Sequence, residues 1–280
     1  MRIVLTVAGL TLREAARRRV LRSLAVLTIV LLSLSAWGFS RINAEYGGLT
    51  SGESKLAAAL VLNLVMFGLS LIAALGTAFL AGPTVAGESE SGIALAVLAR
   101  PVRRAWVLLG KWLGLVAFGA GFVAVAGAAQ LVIVQVTTGY WPPDPVTGLA
   151  LLAAQSVTLL TLGLLLSTVI SPMASGVVAV GLFGATWIAG VVGGLGQALG
   201  NASVERIGTV SQMLLPTDGL WRGAMRAFQD PTLISQFSEA FQGHPFLSSS
   251  PLTVAYLLWA LVWVALVLAL AGLAFQRRDL

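Results

Sequence analysis

The chain has 280 residues, 58% of them hydrophobic and only 10% charged, with a mean hydropathy of +0.92, a net charge of +6 and no cysteine. Soluble domains carry about 25% charged residues, so an ordinary soluble protein is excluded. Disulfides, thiolate metal sites and thiol nucleophiles are excluded too, and redox chemistry leaves the compartment unread. Unbroken apolar runs such as 56–80 mean membrane helices, which need ~20 residues, rather than the ~10-residue alternating segments of a barrel. The pI near 10.7 does not point to nucleic acid, because the basic residues fall beside the apolar runs, where membrane topology places them.

Residues 1–20 read as an amphipathic helix. Leu5, Ala8, Leu12, Ala16 and Val20 follow helical spacing. Arg13, Glu14, Arg17 and Arg18 gather on another side, with Glu14 and Arg18 four apart in the favourable order. Such a helix is expected along the inner surface, facing anionic headgroups. A signal peptide is the rival reading, but the basic region is long and no small-residue cleavage site follows.

The first span is expected over 21–40, followed by a polar loop over 41–55 and a second span over 56–81 closed by Gly82-Pro83. Next, 87–114 holds Glu88, Glu90, Arg100, Arg103, Arg104 and Lys111, six of the chain's 28 charged residues (17 basic plus 11 acidic). Carboxylates favour the first turn of a helix, and Ile93, Leu95, Val97 and Leu98 give that helix an apolar side. Pro101 cannot continue it and displaces Arg100 from helical geometry. The stretch reads as a short cytoplasmic helix, a break and a basic re-entry. A positive loop that only sets topology is the competing reading.

The third span is expected to start after Lys111 and reach about 138, ending at the aromatic, proline-stiffened Tyr140-Trp141-Pro142-Pro143. The fourth covers 147–170 and the fifth follows the Ser171-Pro172 turn to about 195. The loop 197–250 carries two helical patterns, one over Val204, Ile207, Val210 and Leu214, the other over Trp221, Ala224, Met225 and Phe228 with Arg222 and Arg226 opposite. Both are expected to rest on the outer interface or cap the bundle, packing as a lid or taking a direct part. The sixth span covers 252–275, before a basic tail.

The fold class is therefore an all-α integral membrane protein with six transmembrane helices. One transmembrane domain over 1–280 divides into the interfacial helix 1–20, spans 1–2 in 21–83, the charged segment 84–104, spans 3–5 in 105–196, the outer loop 197–250, and span 6 with its tail in 251–280. Twelve of the 17 basic residues lie in residues 1–22, the 84–111 stretch and the tail. That bias puts both termini in the cytoplasm.

No mid-span position is charged, which argues against an ion-coupled secondary transporter. A lone histidine, His244, with no cysteine builds no common zinc site and no catalytic triad. There is no phosphate loop of the GxxxxGK[ST] type. Asn63, Gln130, Gln135 and Gln155 either bridge helices or line a path. Gly110/Gly114 and Gly190/Gly194 have the spacing of close helix contacts. The stripe Tyr256, Trp259 and Trp263 reads as a lipid-belt anchor ahead of a substrate stack.

With these features in view, the chain resembles an ABC-2-type ABC transporter permease over essentially its whole length. The resemblance rests on Glu88, Glu90 and Gly92, then Arg100-Pro101-Val102-Arg103-Arg104, then Gly110-Lys111. It also rests on the arginine-rich N-terminal helix, on Leu215-Pro216-Thr217-Asp218 before Trp221-Arg222, and on the closing Phe275-Gln276-Arg277-Arg278-Asp279-Leu280. Ser89 and Ile93 depart from the family pattern, which favours a basic residue and threonine there. The resemblance implies that the segment between spans 2 and 3 is a coupling helix docking on a separate ATPase. It further implies that Arg13, Glu14, Arg17 and Arg18 lie on a surface helix touching that ATPase. The implied partners are two ABC ATPase subunits, a second copy of this chain and membrane lipid, with an accessory protein as an open addition and no nucleic acid. This chain would hold no cofactor and catalyse nothing; ATP and magnesium would sit on the ATPase. The expected setting is the cytoplasmic membrane of a prokaryote and the expected activity is export. An ATPase-recruiting scaffold for assembly or signalling is the alternative, and a secondary transporter a further one.

Overall fold

The computed structural model describes residues 2–46, 52–84, 104–230, 232, 244–248 and 251–277. Among these residues all regular structure is helical, in nine helices. They are α1 (Arg2–Arg17), α2 (Arg19–Tyr46), α3 (Gly52–Gly82), α4 (Arg104–Thr138), α5 (Pro145–Ser167), α6 (Pro172–Ala198), α7 (Ala202–Leu214), α8 (Thr217–Phe228) and α9 (Val254–Arg277). Six of them, α2 to α6 and α9, are long and apolar enough to cross a membrane. The all-α membrane architecture is thus as expected from the sequence.

Several helices overrun their expected ends, while α5 stops at Ser167, short of the expected 170. α2 continues through Arg41 to Tyr46, where a polar loop was expected. No glycine or proline interrupts 41–46, and Arg41 places its guanidinium 5.7 Å from the centre of the Trp37 ring. α4 begins at Arg104, so Lys111 lies inside the third span's helix and is buried rather than preceding the span. Proline opens α5 and α6, where its missing N–H costs nothing. Asn201 caps α7 by accepting from the amides of Ser203 and Val204 at 3.1 and 3.3 Å. Gly200, at φ +65°, makes the left-handed turn that frees the chain from α6.

α3 is the central helix. Ala58, Leu62, Met66 and Ala78 on it are fully buried, and α2, α4, α5 and α6 all pack on it. In a lipid-facing protein such packing, with a few polar bridges, holds helices together. Gln130 donates to Ser35 at 2.7 Å, joining α4 to α2. Ser70 donates to Gln155 at 2.9 Å, joining α3 to α5. Asn63 donates to the Phe246 carbonyl at 2.9 Å. These three intramembrane amides bridge elements of the fold, whereas Gln135 is exposed.

Candidate coupling site at the basic end of the bundle

The end of the bundle that carries the α1–α2 junction, Thr84, Arg104 and Arg277 collects most of the basic residues. α1 packs there against the first turns of α4. Gly110 and Gly114 make the approach possible. A Cβ on Gly110 would lie 2.7 Å from the Val7 Cβ and 2.8 Å from the Val4 carbonyl oxygen. One on Gly114 would lie 2.6 Å from the Ala8 carbonyl oxygen. The expected GxxxG pair is therefore used, with α1 rather than another span as its partner.

The face α1 turns toward α4 differs from the apolar stripe read in the sequence. Val4, Thr11 and Ala15 are buried, while Leu5, Leu12 and Ala16 are exposed. Small side chains win the inward face because only they fit against two glycines. The larger ones are left for a membrane surface. Arg13, Glu14 and Arg17 are exposed as well, and Arg18 pairs with Glu14 at 2.5 Å. Such exposed i,i+4 pairs contribute about 0.3–0.5 kcal/mol.

Residues 104–115 of α4 touch four further elements or segments of the chain. Arg104 donates to the Gln276 carbonyl at 3.4 Å, near the end of α9. Leu108 packs with Leu164, Ala271 and Phe275 from α5 and α9. Lys111 donates from Nζ to the Thr84 carbonyl at 2.5 Å, just past α3. Trp112 donates from Nε1 to Thr161 of α5 at 2.9 Å. Leu115 packs with Leu80 and Ala81 of α3, Ala15 of α1 and Leu160 of α5. α3 is braced from its other side. A Cβ on Gly82 would come within 2.3 Å of the Pro172 carbonyl oxygen at the start of α6.

Of the residues singled out in the charged segment, Arg104 alone is described, and it sits in this hub. Glu88, Glu90, Gly92, Arg100, Pro101 and Arg103 lie outside the described residues. The hub contains no nucleophile paired with a base. What it does show is one α4 segment in contact with α1, α3, α5 and α9, with Arg104 at its outer end and Lys111 buried within it.

The opposite end is built differently. α8 does not rest on an interface but is buried in the bundle. Leu220, Trp221, Ala224, Met225 and Phe228 have at most 1% exposure. The second predicted apolar face is therefore real. The first faces outward, as a helix resting on an interface would: Ile207, Val210 and Leu214 are exposed, and α7 packs on α6 through Gly208 against Gly193. Asp218 is buried and accepts from Gln212 and Arg222, each at 2.8 Å. In the sequence Asp218 stands out only within the Leu215-Pro216-Thr217-Asp218 run, and its four-residue step to Arg222 is the cue to the ion pair.

The aromatic stripe of α9 also has a specific use. Tyr256, Trp259 and Trp263 donate to the carbonyls of Gln212, Met213 and Leu214 at 3.1, 3.1 and 2.8 Å. These are end-of-helix carbonyls, which lack intrahelical donors. Between the spans, Tyr140 donates to the Phe228 carbonyl at 2.8 Å. Its hydroxyl is held protonated well above the usual range by burial, and then by the Asp230 carboxylate. His244 is shifted down from 6.5 by burial, and its Nδ1 accepts from the Phe246 amide.

Residues 6–280 match the family described as ABC-2 family transporter protein. Among curated proteins none matches the chain.

Proposed function

Since the chain belongs to the ABC-2 transporter family and so forms the membrane-spanning permease of an ABC transporter, we propose that it works as an exporter. A separate ATPase would drive it from the basic end. The observation that carries this reading is the hub at 104–115. The charged stretch enters the bundle at Arg104, and that segment touches α1, α5, α9 and the end of α3. A displacement delivered before Arg104 therefore reaches several spans at once.

In this reading the basic end and both termini face the cytoplasm of a prokaryotic cell, because twelve of the 17 basic residues gather there. Glu88 and Glu90 pair with basic groups of the ATPase, and Gly92 lets the two surfaces approach. Pro101 sets the break in the chain. Arg100, Arg103 and Arg104 anchor it to anionic headgroups. On α1, Arg13, Glu14, Arg17 and Arg18 face headgroups and the same ATPase, while the exposed Leu5 and Leu12 enter the acyl boundary. Two ATPases and a second copy of this chain complete the unit. ATP and magnesium stay on the ATPase. The cargo is lipid-like or hydrophobic, in keeping with apolar, weakly polar spans.

The test uses vesicles holding the chain with its ATPase and a short-chain fluorescent phospholipid as probe. Glu88→Ala combined with Glu90→Ala is expected to leave insertion intact and to abolish ATP-driven probe movement. Unchanged movement contradicts the coupling role. A complex that hydrolyses ATP and moves no probe favours the scaffold reading.

A further inference from the structure

We propose that Lys111 is a positioning residue that ties the end of span 2 to the start of span 3, so that a push on the segment between them moves both spans together. The proposal rests on the permease reading above.

Among the described residues Lys111 is the one basic side chain that is buried, at 6% exposure. Placing an ammonium in an apolar helix bundle is costly unless it is well bonded. Here its Nζ donates to the Thr84 carbonyl, 27 residues back in the chain. That carbonyl lies just beyond α3, where backbone oxygens lack intrahelical donors and the helix dipole is negative. A cation is favoured at that spot by both effects. Thr84 also turns its own hydroxyl back onto the Ala81 carbonyl, which fixes the local backbone that Lys111 grips.

In sequence, residues 85–103 connect Thr84 to Arg104. Lys111 therefore closes the base of the segment on which the ATPase would act. The neighbouring α3–α4 contacts are apolar, through Leu80, Ala81 and Leu115. Such contacts have no direction and let helices slide, whereas one buried charged bond fixes register. Gly110 and Gly114, on either side of Lys111 in sequence, seat α1. The tie thus joins α1, α3 and α4 into one moving part.

The chain has no natural cysteine, so spin labels can be placed at will. Labels at Pro83→Cys and Trp106→Cys are expected to give a narrow distance distribution in the otherwise native chain. It should broaden in Lys111→Met and Lys111→Gln and narrow again in Lys111→Arg. Equal distributions in all four overturn the tie. A second pair at Leu199→Cys and Val254→Cys reports on the opposite end in the complex with ATPase. The ATP-dependent change in that distance is expected to fall roughly tenfold in population in Lys111→Met, within the 5–150-fold span of site-to-site couplings. ATP hydrolysis should continue. An undiminished change overturns the transmission role. If both neutral variants fail to insert while Lys111→Arg inserts, Lys111 is a folding residue and the proposal is overturned. If the native complex shows no ATP-dependent change, the permease reading fails, and the first label pair still decides the tie.

Discussion

The two ends of this bundle are held together in contrasting ways. At the end opposite the basic residues, large side chains do the holding. Phe67 lies 4.8, 5.3 and 5.7 Å from Trp187, Trp221 and Phe246, centre to centre. α8 is sunk into this aromatic cluster, and three aromatic donors of α9 grip the end of α7. At the basic end smaller joints stand beside the leucine contacts: two glycines under α1, Lys111 on the Thr84 carbonyl, Trp112 on Thr161 and Arg104 on the Gln276 carbonyl. The difference teaches that the first end is fixed by buried volume, and the second by close approach and direction. An end fixed by volume resists motion. In the permease reading the second is the end on which a partner acts.

The largest test of that contrast is truncation at the volume-fixed end. Trp221→Ala removes a side chain at 1% exposure from the aromatic cluster and is expected to destabilise by about 3–5 kcal/mol. Thermal unfolding in detergent measures it. A loss below about 1 kcal/mol, the scale of a single deleted buried methyl group, would show that the cluster contributes little. At the basic end the damaging change runs the other way, by enlargement. Gly114→Leu forces side-chain atoms into the Ala8 carbonyl. Its cost is expected at about 1–3 kcal/mol, with α1 released from α4 and open to protease. Unchanged protection of α1 would contradict the glycine seat.

Much of this was legible in the sequence. Six apolar runs, the breaks at Pro142-Pro143 and Ser171-Pro172, and the basic bias toward one end needed only length, proline and charge. The face of α8 was legible as well, because Trp221, Ala224, Met225 and Phe228 repeat at helical spacing. Other features were hidden because they depend on which neighbour arrives. Val4, Thr11 and Ala15 outcompete Leu5 and Leu12 for the interior of α1 only because two glycines wait on α4. Periodicity ranks residues by greasiness and cannot see that steric condition. The same holds for α7, where Gly208 meets Gly193 and the larger Ile207 and Val210 stay outside. Lys111 was read as a flank to span 3, since no local signal announces that a carbonyl 27 residues away will receive it.

The smallest expected effect is one of pH, and it belongs to the volume-fixed end. Burial lowers the pKa of His244 from 6.5 in the folded chain, so the neutral form is the one that fits. Its contribution is present above pH 6.5 and is lost as pH falls from there toward the folded value. Unfolding temperature should therefore dip between neutral and mildly acidic pH, and His244→Gln should flatten the dip. A profile identical in the two proteins would remove His244 from the cap.

The most direct measurement places a single cysteine at Glu88 or at Glu90 in this cysteine-free chain and follows its labelling and cross-linking in cells. The expected result is protection from an impermeant maleimide outside intact cells, labelling once the membrane is opened, and a cross-link to a nucleotide-hydrolysing subunit. Labelling from the exterior, or a cysteine that never cross-links to such a subunit, would contradict an ATPase acting on this permease at its basic end.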